Sequence, residues 1–249
     1  MTRLYSDFAS LYHHVYPSFI DYDAQFEFYN GMLDKYDCRS VLEIGCGSGR
    51  LARRMCAAGR DYQGMDISAD MLQIARTEAP GARFFQGDMR AFTLAEKVDA
   101  IIIPARSLSY LLENNDLLAA FSTFYKQLVP GGKLIFDVID AASLFINMEE
   151  DQLIRHIATD GQRHWERESR YEKNLATGWT WNWHSVYYEK KDTGEKTEVA
   201  RDSATLRAFL AEEMALFLRL SGFRVVERRS EGTYAFQTDV FVGEAVYIS

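Results

Sequence analysis

The chain has 249 residues, 47% of them hydrophobic and 26% charged, which suits a globular protein with one large α/β domain. A formal net charge of −8 argues against a broad nucleic-acid footprint, which needs clustered Lys and Arg. No window approaches the roughly 18 consecutive apolar residues of a membrane helix, and Met1 to Asp7 lack the apolar core of a signal peptide, so no membrane partner is expected. Cys38, Cys46 and Cys56 form neither an even disulfide set nor a metal-ligand spacing, which predicts no metal and a reducing, cytoplasmic setting.

In chain order, Tyr5, Phe8, Leu11, Tyr12, Val15 and Tyr16 recur at spacings of three and four and predict a helix; Pro17 interrupts, and Phe19 to Tyr36 reads as a second. The pair either packs on a sheet or forms a lid that offers tyrosine hydroxyls to a ligand. Val41 to Ile44 is a central parallel strand that runs straight into Gly45-Cys46-Gly47-Ser48-Gly49. A helix with Leu51, Met55 and Ala58 on one face follows and stops at Gly59. A second strand from Asp61 to Met65 ends at Asp66, and Ser68 caps a helix with Met71, Leu72, Ala75 and Ala79 on its apolar face. Arg83 to Gln86 is a third strand, ending in Gly87-Asp88, and Val98 to Ile103 a fourth. A helix through Leu117, Phe121, Phe124 and Leu128, closed by Pro130-Gly131-Gly132, leads to a fifth strand, Lys133 to Val138. Alternating strands and helices with short connections predict a doubly wound parallel sheet.

From Ala141 the rhythm changes. Residues 163 to 207 alternate polar and apolar side chains and predict an antiparallel insertion of about three strands, with a hairpin at Asp192-Thr193-Gly194-Glu195. Trp179, Trp181, Trp183, Ser185 and Tyr187 share one strand face; the tryptophans would wall a substrate site, pack on the core, or form the interface of a homodimer. A helix from Leu206 to Leu220, stopped by Gly222, and two strands, Phe223 to Arg229 and Thr238 to Ile248, complete the chain.

Three alternating glycines at a strand-to-helix junction let the chain turn tightly and let a ligand approach the backbone without meeting a Cβ. Asp66 ends the second strand, 19 residues after Gly47, where a carboxylate accepts hydrogen bonds from ribose hydroxyls. Asp88 ends the third strand at the same sheet edge, where it can accept from an exocyclic amine; taken singly, either acid also reads as a helix cap or turn residue. The dinucleotide fingerprint Gly-x-Gly-x-x-Gly places a pyrophosphate on a helix N-terminus. Here the spacing is Gly-x-Gly-x-Gly, preceded by the acidic Glu43, which disfavours a phosphate, and with it a nicotinamide-dependent oxidoreductase, and suits a cation.

With these residues the chain resembles the class I S-adenosylmethionine-dependent methyltransferases of small-molecule type. The matching motifs are Val41 to Gly49, Gly64-Met65-Asp66-Ile67-Ser68, Gln86-Gly87-Asp88-Met89, and Leu128-Val129-Pro130-Gly131-Gly132-Lys133-Leu134, spanning about residues 38 to 139. The resemblance implies a Rossmann-like seven-stranded sheet with the last strand antiparallel, and S-adenosylmethionine as cofactor, released as S-adenosylhomocysteine. It implies that Gly45, Gly47 and Gly49 pass beneath the methionine moiety and ribose, that Glu43 anchors the site electrostatically, that Asp66 holds the ribose, that Ile67 and Met89 sandwich adenine, and that Asp88 binds its amino group. Tyr12, Cys46, Met71 and Arg106 are assigned to the same cofactor site; Cys46 also reads as a small residue at a variable position of the motif, and Arg106 as a ligand of an anionic substrate or a surface residue.

The expected layout is one domain: an N-terminal helical lid (1–39), a cofactor-binding core (40–140), the antiparallel insertion (141–205) and the end of the core (206–249). The fourth strand runs on as Pro104-Ala105-Arg106-Ser107-Leu108-Ser109-Tyr110-Leu111, resembling small-molecule methyltransferases and departing from the Asn/Asp-Pro-Pro-Tyr/Phe motif of base and amide methylation. The expected partner is therefore a small-molecule amine or hydroxyl; the alternatives are a protein that holds the cofactor or its product without catalysis, or a tRNA or protein methyltransferase. Because the leaving group is already activated, a general base is optional. Tyr12, His13, His14, Tyr16 and His184 are candidate proton acceptors, and none is singled out as catalytic.

Overall fold

A computed structural model of the chain describes residues 3–150, 152–159, 163–191, 194–231 and 237–247. The elements in order are α1 (Ala9–Val15), α2 (Tyr22–Lys35), β1 (Ser40–Ile44), α3 (Arg50–Ala57), β2 (Asp61–Asp66), α4 (Ala69–Glu78), β3 (Arg83–Gln86), β4 (Val98–Ile103), α5 (Asn114–Gln127) and β5 (Leu128–Ile139). They continue with α6 (Ala141–Asn147), β6 (Ile154–Thr159), β7 (His164–Lys173), β8 (Thr180–Lys190), β9 (Lys196–Arg207), α7 (Ala211–Leu220), β10 (Phe223–Glu231) and β11 (Thr238–Ala245). Seven strands form one sheet in the order β10-β11-β5-β4-β1-β2-β3. β11 is antiparallel to both neighbours and the other pairs are parallel, so the expected seven-stranded arrangement is present.

Helices cover both faces of this sheet, which is why β1 and β4 are nearly continuous apolar runs. Leu42, Ile44, Ile101, Ile103 and Phe136 pack under Phe121 and Phe124 of α5 and Met214 of α7. Val41, Ala100, Ile102 and Ile135 face Leu33 of α2 and Leu51 and Met55 of α3. Side-chain caps start several helices: Asp21 accepts from the backbone N–H groups of Asp23 and Ala24 at 3.0 and 2.9 Å, and Ser68 from that of Met71 at 3.1 Å. No helix among the described residues is long and apolar enough to cross a membrane.

The insertion differs from expectation in strand number. It is a four-stranded antiparallel sheet, β6-β7-β8-β9, because Ile154–Thr159 adds an edge strand before the three predicted ones. A short helix, α6, precedes it; Asp140 caps it by accepting from Ala142 and Ser143 at 3.2 and 3.0 Å. Leu206 and Arg207 end β9, paired with Trp181 and Thr180, and the following helix begins only at Ala211. The helical spacing at that point is overridden by strand pairing. Pro130-Gly131-Gly132 likewise lies within β5, as an irregularity in which the register with β4 jumps between Val98↔Leu128 and Ala100↔Lys133. Of the predicted hairpin, Asp192 and Thr193 lie outside the described residues, as does Ile248 of the last predicted strand; Lys191 donates its N–H to the Glu195 carbonyl at 2.9 Å across that turn.

The N-terminal segment divides between two surroundings. Tyr29, Met32 and Leu33 of α2 pack on the core, whereas Leu4, Val15, Tyr16 and Ile20 pack with Trp165, Tyr187 and Ala200 of the smaller sheet. Arg207, 3% exposed, ties that sheet to the core: it donates to the Leu112 carbonyl (2.9 Å), to Asn114 (2.8 Å) and to Glu213 of α7 (2.5 Å). Removing one partner of a buried ion pair costs about 3–5 kcal/mol. Arg207→Ala is accordingly expected to lower the unfolding free energy by about that amount in urea denaturation; a change below about 1 kcal/mol would show that the tie carries no weight.

Candidate active site

β1 ends in a turn whose backbone is left-handed at Gly45, Gly47 and Gly49. Gly45 and Cys46 donate their N–H groups to the Met65 carbonyl of β2 at 2.8 and 3.1 Å, so the turn is stitched to the neighbouring strand. A Cβ at Gly49 would stand 2.9 Å from the Cα of Ala75, so this glycine lets α3 and α4 approach. At Gly47 a Cβ would meet none of the described residues within 4 Å. That glycine faces open space, and the space is a cavity of about 870 Å³ over the C-terminal edge of the sheet.

Of the residues singled out in the sequence, Tyr12, Gly45, Gly47, Asp66, Ile67, Met71, Asp88, Met89 and Arg106 line this cavity. Glu43 and Cys46 instead border a smaller recess behind the turn, together with Tyr12, Gly45 and Gly47. Gly49 lines neither and starts α3. Of the candidate proton acceptors, Tyr12 and Tyr16 reach the cavity. His13 lies by Arg50 and Glu78, His14 contacts the Ser10 carbonyl at 2.7 Å, and His184 is exposed beside Glu172.

Asp66 is the pivot. Its Oδ2 accepts from Gly47 N–H and its Oδ1 from Ser68 N–H, both at 2.8 Å. Burial pushes its pKa upward, and the backbone donors oppose that. The neighbouring Ile67, although apolar, is 50% exposed and faces the cavity, a surface suited to a flat ring. Asp88 is forked by Arg90, with contacts of 2.6 and 3.0 Å, and these hydrogen bonds hold its pKa below the usual carboxylate range. Sequence reasoning missed that partner two residues downstream. Glu43 is buried and accepts from the Tyr62 hydroxyl at 2.5 Å; burial pushes its pKa to about 8, against the pull of that hydrogen bond. Burial also raises the Cys46 thiol, which is therefore uncharged and a poor nucleophile.

After β4 the chain passes through Ala105 and Arg106, both left-handed without being glycine, at φ 57° and 62°. Arg106 N–H donates to the buried Asp137 at 3.0 Å, and Ser107 Oγ lies where a Cβ on Gly45 would come within 2.6 Å. The far part of the cavity is aromatic: Tyr5 and Tyr110 share a hydrogen bond of 2.9 Å, and the Tyr12 and Tyr16 rings stack at 3.9 Å. Burial raises the pKa values of Tyr5, Tyr12 and Tyr110, so these hydroxyls act as neutral hydrogen-bonding groups. Trp181 and Trp183 line the same space, which makes part of the tryptophan stripe a cavity wall. Tyr110 is carried here by the segment after β4 that the sequence already singled out, whereas His156, Arg167 and the two tryptophans are brought here by long-range strand pairing, and among these only the strand-face alternation of the tryptophans gave a hint.

Comparison with known proteins agrees with this geometry. Residues 41–132 match the methyltransferase-domain family. The fold matches the crystal structure of Streptomyces venezuelae DesVI with a TM-score of 0.77 at 24% identity, covering 90% of this chain and 91% of that one. Residues 41–132 are thus similar to methyltransferase domains, and the chain shares the fold of DesVI. Among curated relatives, a putative methyltransferase of Geobacillus sp. (strain WCH70) is 36% identical over 124 residues, 47% of this chain and 50% of the relative. A dTDP-3-amino-3,4,6-trideoxy-alpha-D-glucopyranose N,N-dimethyltransferase of Streptomyces venezuelae is 35% identical over 101 residues, 41% of this chain and 43% of the relative. The chain thus spans about half the length of the curated relatives it matches.

Two predictions follow from the turn and its support. Gly49→Ala forces a left-handed alanine against the α4 backbone and is expected to cost about 2–4 kcal/mol in denaturation, whereas Gly47→Ala costs only about 1 kcal/mol. Equal costs would mean that α4 does not constrain the turn. For Glu43, the folded protein retains a proton between about pH 4.5 and pH 8 that the unfolded chain has lost, so its contribution to stability falls as pH rises through that window. Glu43→Gln should flatten the decline in melting temperature measured between pH 5 and pH 8; an unchanged slope would place the titration elsewhere.

Proposed function

We propose that this protein is an enzyme that transfers a methyl group from S-adenosylmethionine to an amine or hydroxyl of a small-molecule acceptor. The carrying observation is one cavity that joins an open glycine turn and the buried Asp66 carboxylate to an aromatic chamber. When bound, S-adenosylmethionine supplies a methyl group already activated on a sulfonium sulfur. The residues present fit it: Gly47 leaves room where a Cβ would intrude, Asp66 is held ready to accept from ribose hydroxyls, and Ile67 and Met89 offer apolar faces to adenine. Asp88 remains ionised beside Arg90 and is available to an amino group through its remaining lone pairs.

On the acceptor side the protein's work is alignment and exclusion of water. The hydroxyls of Tyr5 and Tyr110, neutral at physiological pH, hydrogen-bond and orient polar groups of the acceptor, while Trp181 and Trp183 close the wall behind them. An amine is the favoured nucleophile, since the named sugar-methylating relative is an N,N-dimethyltransferase.

Calorimetric titration tests the cofactor reading. The wild type is expected to bind S-adenosylmethionine, and Asp66→Ala to weaken binding by about 100-fold or more, the weight of two lost charge-assisted hydrogen bonds. Unaltered binding by the variant would remove the proposal's foundation. Binding by the wild type without methyl transfer to any of a broad set of amines and alcohols would leave a cofactor-holding protein instead.

A further inference from the structure

The wall contributed by the four-stranded sheet contains a charge that the methyl-donor site does not use. Arg167 of β7 is 9% exposed and lines the cavity. Its Nη1 donates to the Tyr16 hydroxyl and its Nη2 to His156 Nδ1, both at 3.2 Å. The guanidinium lies 4.6 Å from the Phe19 ring centre, 5.4 Å from that of Trp183 and 5.6 Å from that of Tyr16. Among the described residues no carboxylate stands within ion-pair distance of it.

The nearby acids are committed elsewhere. Glu166 and Glu168 are engaged by Lys190, Lys196 and Arg155, and Asp202, on β9, accepts the backbone N–H of Arg3 at 3.0 Å. Two buried donors in the same wall, Arg167 Nε and Trp183 Nε1, have no hydrogen-bond partner among the described residues. A buried cation without a counter-charge is costly, and a buried N–H without an acceptor adds to that cost. Both costs are relieved by one kind of visitor: a group that is negatively charged and rich in acceptors. Arginine's planar fork suits such a group in particular. Neutral His156 reinforces the arrangement, since burial and Arg167 both lower its pKa and its Nδ1 accepts from the arginine, leaving the Nε2 side as a further donor.

From this geometry we infer that the acceptor carries an oxyanion, a phosphate, pyrophosphate or carboxylate, which Arg167 receives within the aromatic chamber while the group to be methylated lies toward the glycine turn. The inference rests on the methyltransferase reading for what the anion is attached to. It stands on the cavity alone for the presence of an anion site.

The test uses the full chain with saturating S-adenosylhomocysteine and follows tryptophan fluorescence, which Trp183 beside Arg167 should report. Sodium pyrophosphate, inorganic phosphate and acetate are titrated separately at constant ionic strength, so that the arms distinguish a phosphate-type from a carboxylate-type group. At least one anion is expected to give a saturable change, and Arg167→Met to weaken it about ten-fold or more while affinity for S-adenosylhomocysteine, measured by calorimetry, stays within about three-fold of wild type. No saturable response by the wild type to any of the three, or equal affinity in Arg167→Met, overturns the proposal. Should that variant fail to fold, Arg167→Lys keeps the charge and loses the fork, and wild-type anion affinity in it is equally fatal. Failure of the wild type to bind S-adenosylhomocysteine would defeat the cofactor reading instead, and the same anion titration run without it would still decide this one.

Discussion

Asp66 has to satisfy two backbone segments at once. One carboxylate oxygen takes the N–H of Gly47, in the turn after β1, and the other the N–H of Ser68, which opens α4. Those bonds fix the position of the ligand-facing turn relative to the end of β2, and they partly offset the cost of burying the charge. Ser68 extends the link: its hydroxyl accepts from Met71 N–H and donates to the Tyr5 carbonyl, so the N-terminal segment is anchored to the same strand end. The floor of the cavity and its aromatic roof are thereby registered through a few hydrogen bonds.

The consequence is a division of electrostatic labour. Near the glycine turn the acids are restrained: Asp66 is desolvated but hydrogen-bonded, Asp88 is paired with Arg90, and burial pushes the pKa of Glu43, behind the turn, up to about 8. In the chamber under the four-stranded sheet the fixed charge is positive and the surroundings are rings. A cationic sulfonium and an anionic acceptor group would each meet the sign it needs, without the two ends of the cavity cancelling one another.

Legibility in the sequence followed the range of the interactions involved. β1 to β4 and their helices were readable almost to the residue, because Val41 to Gly49, Ser68 and Gly59 carry local signals of strand period, cap and stop. The carboxylates at 66 and 88 could be placed because both end parallel strands, and parallel strands bring their C-terminal ends to one edge. Leu206 misled because its helical spacing competes with a strand partner, Trp181, that is 25 residues away in the chain. Arg167 and His156 were invisible for a related reason. Their meaning depends on which acids do not face them, and that is settled only when β6 to β9 pair and the N-terminal rings fold over them.

Ala105 and Arg106 show what such a site asks of its backbone. Each holds a left-handed conformation that disfavours a side chain by about 1 kcal/mol or more, and Asp137 pins the second of them through its N–H. Glycine at these positions would make the folded chain easier to form, yet it would also let the segment between β4 and Ser107 sample other shapes beside the turn. The protein thus keeps some of its marginal stability as rigidity at one stretch of main chain. Variation that raises its melting temperature by relaxing this stretch would trade away the fixed spacing between the glycine turn and the chamber.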